Sequence, residues 1–352
     1  MAELRVGIAG YGTVGRIRHA ESDEHPSLRV VAVCDQTFIE PTTTPEGIRC
    51  WTTYDQILAN EEIDVLFVCL PNYLAPEVTI AGLEQGLHVF CEKPPGRDLA
   101  DIARVREVER KHPGQVLMYG FNHRYHDSVR EAIRLIRSGE LGKIIDLRGV
   151  YGKSAIIKFA PGEWRSQRSL AGGGILLDQG IHMVDMMRLF AGDFTEVHSR
   201  ISNDYWHHDV EDNAYALMRT ADGVVALLHS SATQWRHRFR LEITLTNGAI
   251  TLAGILTSTR SYGAETITVA YPQPDDKGDP REQTTRYNRD PSWHDEVFDF
   301  AAHVLEGREP EHGSSLEALK TMELVYRIYC ADPEWKARFG LSAELPAGAD
   351  AP

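Results

Sequence analysis

Residues 4–15 read Leu-Arg-Val-Gly-Ile-Ala-Gly-Tyr-Gly-Thr-Val-Gly, a short apolar run that leads directly into the pattern G-x-G-x-x-G. The glycine pattern alone is a weak signal, because a glycine-rich turn can be purely structural. Here it follows a predicted strand and opens a predicted helix, the context that a dinucleotide-binding fingerprint requires. We expect Gly10 to permit the tight turn, Gly12 to let the backbone approach a pyrophosphate, and Gly15 to let the helix pack on the sheet.

The helix start and the next strand extend this signal. The first N–H groups of a helix bind phosphate, so Thr13 and Val14 are expected in the same site. Asp35 follows twenty residues after the last motif glycine, at the end of the predicted strand 28–34. Its carboxylate can accept hydrogen bonds from a ribose 2′-hydroxyl and would repel a 2′-phosphate. The sequence therefore favours NAD over NADP as the cofactor, unless Arg49 folds back onto the site.

Strand and helix signals alternate over the first 120 residues. Nearly continuous apolar runs separated by helical segments are typical of a parallel sheet covered on both faces. The runs are residues 4–9, 28–34, 65–70, 87–91 and 116–119. The sequence predicts a doubly wound α/β domain at residues 1–123.

The pattern changes in the second half of the chain. Strand follows strand from residue 195 to about 270, and Asn247-Gly248 is a strong hairpin signal. We expect an α+β domain with a mostly antiparallel sheet at residues 124–335, a surface loop at residues 272–291, and a tail at residues 336–352.

The composition bounds the class of protein. The 352 residues include 37 basic and 51 acidic ones, a net charge of −14, which argues against a nucleic-acid partner. The longest apolar run, residues 65–70, is far too short to span a bilayer, and the first residues show no signal-peptide pattern. The five cysteines are widely spaced and form no C-x-x-C motif, so we expect a reducing compartment. A cytoplasmic protein without a membrane partner is expected.

Three residues are candidates for chemistry. Lys93 follows the fourth strand, at the edge where open parallel sheets bind ligands, although a surface lysine before a turn would give the same pattern. Asp178 and His182 are four apart in a predicted helix, so they share one face, where a carboxylate can orient an imidazole for general acid–base work. A buried hydrogen-bonded pair or half of a metal site would show the same spacing.

Two further histidine clusters, at residues 123–126 and 207–208, resemble fragments of metal sites by composition. Neither cluster has a matching set of partners in the sequence. We expect loop or surface histidines there, and no metal.

Together these elements resemble the Gfo/Idh/MocA family, which includes glucose–fructose oxidoreductase and inositol dehydrogenase. The match runs in order from residue 4 to about residue 331, and its most specific stretch is residues 172–182. The further matching elements are Pro71-Asn72, Glu92-Lys93-Pro94, Gly120-Phe121-Asn122 with Arg124, Trp164-Arg165, and Trp293, Glu296, Phe300, Gly307 and Pro310.

The resemblance implies a Rossmann domain followed by an α/β domain with a large, mostly antiparallel open sheet. It implies that Lys93 binds near the nicotinamide and the substrate hydroxyl. It also implies that Asp178 and His182 hold the substrate, with the histidine as acid/base, and that Arg124 lies at the substrate. The further residues implied at the cofactor are Pro71, Asn72, Glu92, Trp164 and Arg165. Ala75 departs from the pattern, because many members carry a histidine at that position.

The activity implied is reversible hydride transfer between a nicotinamide and a carbinol carbon of a sugar, cyclitol or sugar derivative. Residues 121–126, 210–213 and 230–235 look like those of members associated with surface-carbohydrate biosynthesis. The alternatives are a redox-neutral, NAD-using glycosidase of the same family and a nucleotide-sensing protein without chemistry. An open sheet leaves one large face without helices, so a homodimer or homotetramer through the second domain is expected.

Overall fold

The computed structural model describes residues 3–156, 162–257, 261–275 and 277–346, and the chain forms two units. Within these ranges the first unit comprises residues 3–122, 293–322 and 344–346, and the second comprises residues 123–292 and 323–343. The sequence predicted one contiguous domain after another. Residues 293–322 instead return to the first unit, where Phe300 packs against Phe67 and Phe90.

The strands are β1 (Leu4–Ala9), β2 (Leu28–Cys34), β3 (Thr42–Thr43), β4 (Arg49–Trp51), β5 (Val65–Val68), β6 (His88–Glu92), β7 (Leu117–Gly120), β8 (Ile144–Ser154), β9 (Phe194–Ser202), β10 (Asn213–Thr220), β11 (Val225–Gln234), β12 (Arg238–Leu245), β13 (Gly248–Ala253), β14 (Glu265–Tyr271) and β15 (Arg281–Tyr287). The helices are α1 (Thr13–Asp23), α2 (Tyr54–Asn60), α3 (Ala75–Glu84), α4 (Leu99–Glu109), α5 (Asp127–Ser138), α6 (Arg168–Ala171), α7 (Ile181–Ala191), α8 (Ser292–Glu306), α9 (Ser315–Ala331) and α10 (Pro333–Phe339). Among the described residues, none of these helices carries an apolar stretch long enough to cross a bilayer.

The first unit is built on a seven-stranded sheet in the order β3-β4-β2-β1-β5-β6-β7. Neighbouring strands are parallel except β3 with β4. Every residue of β5 is fully buried, as its continuous apolar run predicts. The chain first builds outward from one side of β1 and then continues on the other side at β5, which makes the edge between these strands the switch point where such sheets bind ligands. The predicted doubly wound α/β fold is confirmed.

The second unit is built on an eight-stranded sheet in the order β15-β14-β13-β12-β8-β11-β10-β9. Its pairs are antiparallel except β8 with β11, so the predicted mostly antiparallel sheet is confirmed. Helix α7 packs on β8 and β11, and α5 packs on β13 and β14. A Cβ at Gly149 of β8 would lie 2.5 Å from Met187 Cε of α7, so this glycine permits the close approach of helix and sheet.

Two segments differ from the expectation. β15 lies within the predicted surface loop at residues 272–291, and the loop prediction is wrong for this strand. It is exposed along nearly its whole length, so it shows none of the apolar alternation that marks a half-buried strand. Helix α10 enters the predicted tail: Asp332 accepts hydrogen bonds from the N–H groups of Glu334 (3.0 Å) and Trp335 (3.1 Å), and the Trp335 ring is buried.

A buried arginine connects three elements of the first unit. Arg18 of α1 donates through Nε to Glu92 Oε1 at the end of β6 (2.8 Å) and through Nη2 to Glu296 Oε2 of α8 (2.5 Å). Its guanidinium also lies 4.4 Å from the ring centroid of Phe90 and 4.5 Å from that of Trp293. Burial alone would lower the pKa of Arg18, but the two carboxylates raise it, so the guanidinium stays charged. The three elements are therefore held by one cation.

Two carboxylates share this single guanidinium. Burial raises the pKa of Glu296 to about 8; Arg18 opposes the rise and Glu92 adds to it. An unfolded glutamate has a pKa near 4.3, so the folded protein holds this proton more tightly than the unfolded chain. The stabilisation that follows is fully present below about pH 4 and is lost as the pH rises through about 8.

Glu296→Gln should make stability less dependent on pH. The amide stays neutral and still offers an oxygen to Arg18, so the melting temperature should fall less between pH 6 and 9 than in the wild type, by on the order of a few degrees. Thermal melts across this range measure the effect. Glu306→Gln, which changes an exposed glutamate of the same helix, is the matched control and should follow the wild type. Equal slopes for both variants would remove Glu296 from the pH dependence.

Candidate active site

The glycine turn between β1 and α1 contains two kinds of glycine. Gly10 has φ +93°, and a Cβ there would clash with the carbonyl of Cys69. A Cβ at Gly15 would clash with the Gly10 carbonyl. A Cβ at Gly12 would have no heavy atom of the described chain within 4 Å. The fold itself thus requires Gly10 and Gly15, whereas the open space at Gly12 is a cradle that fits a bound pyrophosphate.

Asp35 lies at the end of β2 and is held beside the glycine turn. Its Oδ2 accepts a hydrogen bond from the N–H of Tyr11 (3.0 Å), and its Oδ1 accepts from the N–H (2.9 Å) and the hydroxyl (2.7 Å) of Thr37. Arg49 donates to the Thr43 hydroxyl at 3.0 Å and lies 5.0 Å from the Trp51 ring centroid. Arg49 is thus engaged by Thr43 and Trp51. The Asp35 carboxylate, held beside the glycine turn, has the position in the chain that the fingerprint assigns to a ribose-binding residue.

Further predicted cofactor residues follow the ends of β5 and β6. The Pro71 carbonyl accepts hydrogen bonds from the N–H groups that open α3, and Asn72 is buried. The carboxylate of Glu92 binds Arg18, and Lys93 is half-buried, with a cis peptide bond to Pro94. The first unit thus brings the glycine turn and these residues to the carboxyl edge of one parallel sheet.

A buried glutamate shapes the start of the second candidate region. Glu211 accepts hydrogen bonds from the N–H of Gly174 (2.8 Å), the N–H of Leu176 (2.9 Å) and the Tyr329 hydroxyl (2.7 Å). Burial raises the pKa of Glu211, and the Tyr329 hydroxyl, the charge of Arg168 and the Gly174 N–H oppose the rise. A Cβ at Gly174 would clash with the Glu211 backbone, so a glycine is required at this contact. The glutamate holds the glycine segment that leads to Asp178.

The segment Leu176–Gly180 forms a π turn before α7, where the sequence predicts ordinary helix. Such turns are rare and occur frequently at functional sites. Asp178 lies in this turn, and its Oδ1 is 3.7 Å from Arg165 Nε. The Arg165 guanidinium lies 4.3 Å from the ring centroid of Trp164. Burial lowers the pKa of Lys153 on β8, and the charge of Asp178 opposes this shift. Predicted cofactor and substrate residues therefore lie together in the second unit.

His182 lies in the first turn of α7, and its side chain is 5% exposed. The ring of His123 stacks on it, with centroids 3.7 Å apart and planes 12° apart. Of the predicted loop or surface histidines, His123 lies in a short turn and His126 directly follows it, but both are buried, so a surface position is wrong for them. The error arises because histidines in a polar stretch of sequence show no pattern that predicts their burial.

Arg124, predicted at the substrate, is engaged within the second unit. Its Nε and Nη2 donate to the two carboxylate oxygens of Asp185 at 2.7 and 2.6 Å, and both side chains are buried. This bidentate pair joins the turn Asn122–Tyr125 to α7.

The predicted catalytic residues fall in both units: Lys93 belongs to the first, and Asp178 and His182 belong to the second. Lys153 and Tyr151 are further parts of the second region that no sequence motif indicates. Alternation along β8 indicates that Tyr151 and Lys153 share a strand face, but no local pattern indicates which strand lies beside Asp178.

An open glycine turn on a doubly wound sheet, with an acidic residue directly after the second strand, is typical of a dinucleotide-binding protein. The family model "Oxidoreductase family, NAD-binding Rossmann fold" matches residues 4–121, and "GFO/IDH/MocA C-terminal domain" matches residues 129–251. The chain belongs to the Gfo/Idh/MocA family, as its motifs predict.

Individual relatives are similar to part of the chain. Levoglucosan dehydrogenase of Pseudarthrobacter phenanthrenivorans is 29% identical over 57% of this chain and 55% of that enzyme. D-glucoside 3-dehydrogenase of Escherichia coli is 34% identical over 52% of each chain. The chain thus spans about half the length of these relatives. A solved structure of levoglucosan dehydrogenase with NADH and L-sorbose superposes with a TM-score of 0.81 at 22% identity, covering 95% of this chain and 97% of that one, and shows the shared fold.

Gly12→Ala should separate cofactor binding from folding. The new methyl group fills the open space where a pyrophosphate fits, so NADH binding should weaken by on the order of tenfold or more while the melting temperature stays unchanged. Fluorescence titration with NADH and thermal melts measure the two effects. Gly15→Ala is the matched comparison, and it should lose thermal stability because its Cβ clashes with the Gly10 carbonyl. A Gly12→Ala protein that binds NADH normally would contradict the cradle.

Proposed function

We propose that the protein is an NAD(P)-dependent oxidoreductase that moves a hydride between the nicotinamide and a carbinol or keto carbon of a sugar, a cyclitol or a sugar derivative. The carrying observation is that an open dinucleotide cradle and a buried imidazole preceded by a half-buried carboxylate occur in one chain. The names of the relatives, levoglucosan dehydrogenase and D-glucoside 3-dehydrogenase, support a sugar as the substrate.

The nicotinamide, when bound, supplies the site that accepts or donates the hydride. Glycines 10, 12 and 15, Thr13, Val14 and Asp35 would hold the cofactor, together with residues at the ends of β5 and β6. Pro71, Asn72 and Lys93 are these further residues, with Trp164 and Arg165 contributed by the second unit. Glu92 supports this edge through its ion pair with Arg18.

We assign the proton transfer to His182. During oxidation it removes the proton of the reacting hydroxyl, and during reduction it returns that proton. Lys93, as an ammonium, stabilises negative charge on the same oxygen. Asp178 accepts a hydrogen bond from a neighbouring hydroxyl of the substrate and is itself oriented by Arg165.

His182→Ala should lower kcat by about 10²–10⁴-fold while NADH binding changes little, because a general base acts in the transition state rather than in cofactor binding. Lys93→Ala should lower kcat at least as much and can also weaken cofactor binding. Single-turnover hydride transfer, NADH titration and thermal melts on the same preparations measure these effects. His198→Ala, which removes an exposed histidine from β9, is the control. A His182→Ala enzyme that melts early but keeps normal turnover per folded molecule would leave this histidine a structural role only.

The reaction class is tested by screening anhydro sugars, aldoses, glucosides and inositols with NAD. A dehydrogenase accumulates NADH as the sugar is oxidised. A redox-neutral glycosidase consumes its substrate without accumulating NADH, and a nucleotide-sensing protein consumes none of the panel. Following NADH absorbance and the sugar concentration together separates the three.

We propose NAD as the preferred cofactor, since the Asp35 carboxylate directly after β2 would accept hydrogen bonds from a ribose 2′-hydroxyl and repel a 2′-phosphate. Asp35→Ser with Gln36→Arg should reverse the preference toward NADP, because the change removes a negative charge and adds a positive one. Fluorescence titrations of both cofactors measure the ratio of dissociation constants. Asp35→Asn is the matched control, because it removes the charge and keeps one oxygen that can still accept the hydrogen bonds of Thr37. Tighter binding of NADP by the wild type would overturn the assignment of Asp35.

We propose a homodimer or homotetramer formed through the face of the second unit's sheet opposite α5 and α7. Tyr215, Leu217 and Leu227 are each 45–46% exposed on β10 and β11, and the Tyr215 ring stacks on His229 at 4.3 Å. Contiguous exposed apolar surface of this kind marks interaction sites.

Leu217→Glu with Leu227→Glu should dissociate this assembly, because charges would be buried without partners. Light scattering at micromolar protein measures the mass, and the variant should give particles of about the 39.5 kDa of one chain. Leu305→Glu, at a leucine 42% exposed on α8, is the control and should leave the assembly intact. A wild-type protein that scatters as a single chain would refute the proposal.

The cysteines support a reducing compartment, and we propose the cytoplasm. All five are free thiols. Burial raises the pKa of Cys34 to about 11 and that of Cys91 to about 12, so both stay protonated and unreactive.

A further inference from the structure

The imidazole of His182 is covered by a second imidazole. The His123 and His182 rings lie parallel, 3.7 Å apart between centroids and 12° apart between planes, and the two residues are 4% and 5% exposed. His123 belongs to the turn Asn122–Tyr125, and His182 belongs to the first turn of α7. Two elements far apart in the sequence therefore place one flat ring directly on the other.

His123 is itself held by its neighbours. Its Nε2 lies 3.0 Å from the hydroxyl oxygen of Tyr151, whose pKa is raised by burial, so the hydroxyl keeps its proton and can donate it. The His126 ring meets His123 edge-on at 5.5 Å, and Phe239 packs on it at 6.2 Å. These contacts leave the His123 ring little freedom to turn.

The same turn is clamped to the helix that carries His182. Arg124, the next residue, binds Asp185 of α7 through two hydrogen bonds of 2.7 and 2.6 Å. On the other side, His126 Nδ1 lies 2.8 Å from Glu265 Oε2 of β14, and both side chains are fully buried. Arg124 within the turn and His126 directly after it therefore fix this segment to α7 and β14.

A ring in this position suits a base that must take up a proton. The face of a neutral aromatic ring attracts a cation, so it stabilises a protonated imidazole lying against it. Two protonated imidazoles at this separation would repel each other, so only one ring of the stack can carry a proton at a time. In the proposed function that ring is His182.

We propose that His123 is a positioning residue for His182: its ring face fixes the plane of the His182 imidazole and supports that ring while it carries the substrate proton. This inference rests on the proposed role of His182 as the base. The positioning role requires a flat ring at residue 123 but no nitrogen that gains or loses a proton. A catalytic role would require such a nitrogen, so the two roles can be told apart.

The test compares a variant that loses the ring with one that keeps it. His123→Leu keeps a side chain of similar volume but removes the ring face. We expect kcat to fall by roughly 10- to 100-fold with KM for the sugar nearly unchanged, because misplacing a reacting group acts on the chemical step. His123→Phe with Tyr151→Phe keeps a flat ring and removes both partners of the buried hydrogen bond, so neither group is left unsatisfied. This double variant should turn over within about threefold of Tyr151→Phe alone.

The measurements use the panel sugar that the wild type oxidises fastest, with thermal melts on every variant. Phe239→Leu removes another ring from the same cluster and is the control, which should lose stability without losing kcat. A His123→Leu enzyme with normal kcat, or a double variant as slow as His123→Leu, would overturn the proposal. His182→Ala is measured beside them: if it turns over normally, the assigned base has failed and not the stack alone.

A second measurement needs no substrate. Deuterium exchange at Cε1–H of His182, followed by mass spectrometry, reports access to the ring and its protonation. Exchange should accelerate severalfold in His123→Leu and stay near the wild-type rate in His123→Phe with Tyr151→Phe. The same exchange rate in all three proteins would overturn the proposal even if no sugar of the panel is oxidised.

Discussion

The first unit depends on one buried guanidinium. Arg18 lies between the carboxylates of Glu92 and Glu296, and a buried charge that loses its partners is strongly destabilising. The helix after the glycine turn, the strand that ends before Lys93, and a helix from near the end of the chain must therefore close together. This constraint explains why residues 293–322 belong with a sheet formed by the first 120 residues.

In the second unit, several buried polar contacts connect the elements, as Arg18 does in the first unit. Glu211 holds the glycine segment before the π turn, Arg124 binds Asp185, and His126 binds Glu265. Burial alone would raise the pKa of Glu265, but hydrogen bonds from His126 and Ser128 lower it, so the Glu265 carboxylate keeps its charge. Each of these contacts joins side chains or backbone groups from different parts of the second unit, and together they hold the segment that carries His182.

The sequence predicts those residues of the candidate site that belong to short local motifs. Gly10, Gly12 and Gly15 can be predicted because a tight turn and a helix start need glycines at that spacing. Asp35 can be predicted because the acidic residue of the fingerprint lies about 20 residues after the last glycine. β15 was missed, since an edge strand exposed on both faces carries no apolar alternation. The burial of His123 was missed for a similar reason, because its surroundings come from other elements of the fold.

By itself, the sequence determined the family, the doubly wound sheet, the mostly antiparallel second sheet and the identity of the candidate residues, because periodicity and turn chemistry act over a few residues at a time. Only the tertiary structure decided which of these residues meet. Arg18 and Glu296 are 278 positions apart and His126 and Glu265 are 139 apart, and no local pattern records such pairs. The stack of His123 on His182 belongs to this second kind: it exists because two chain segments are clamped to each other, and the clamp is made by charges that pair only after folding.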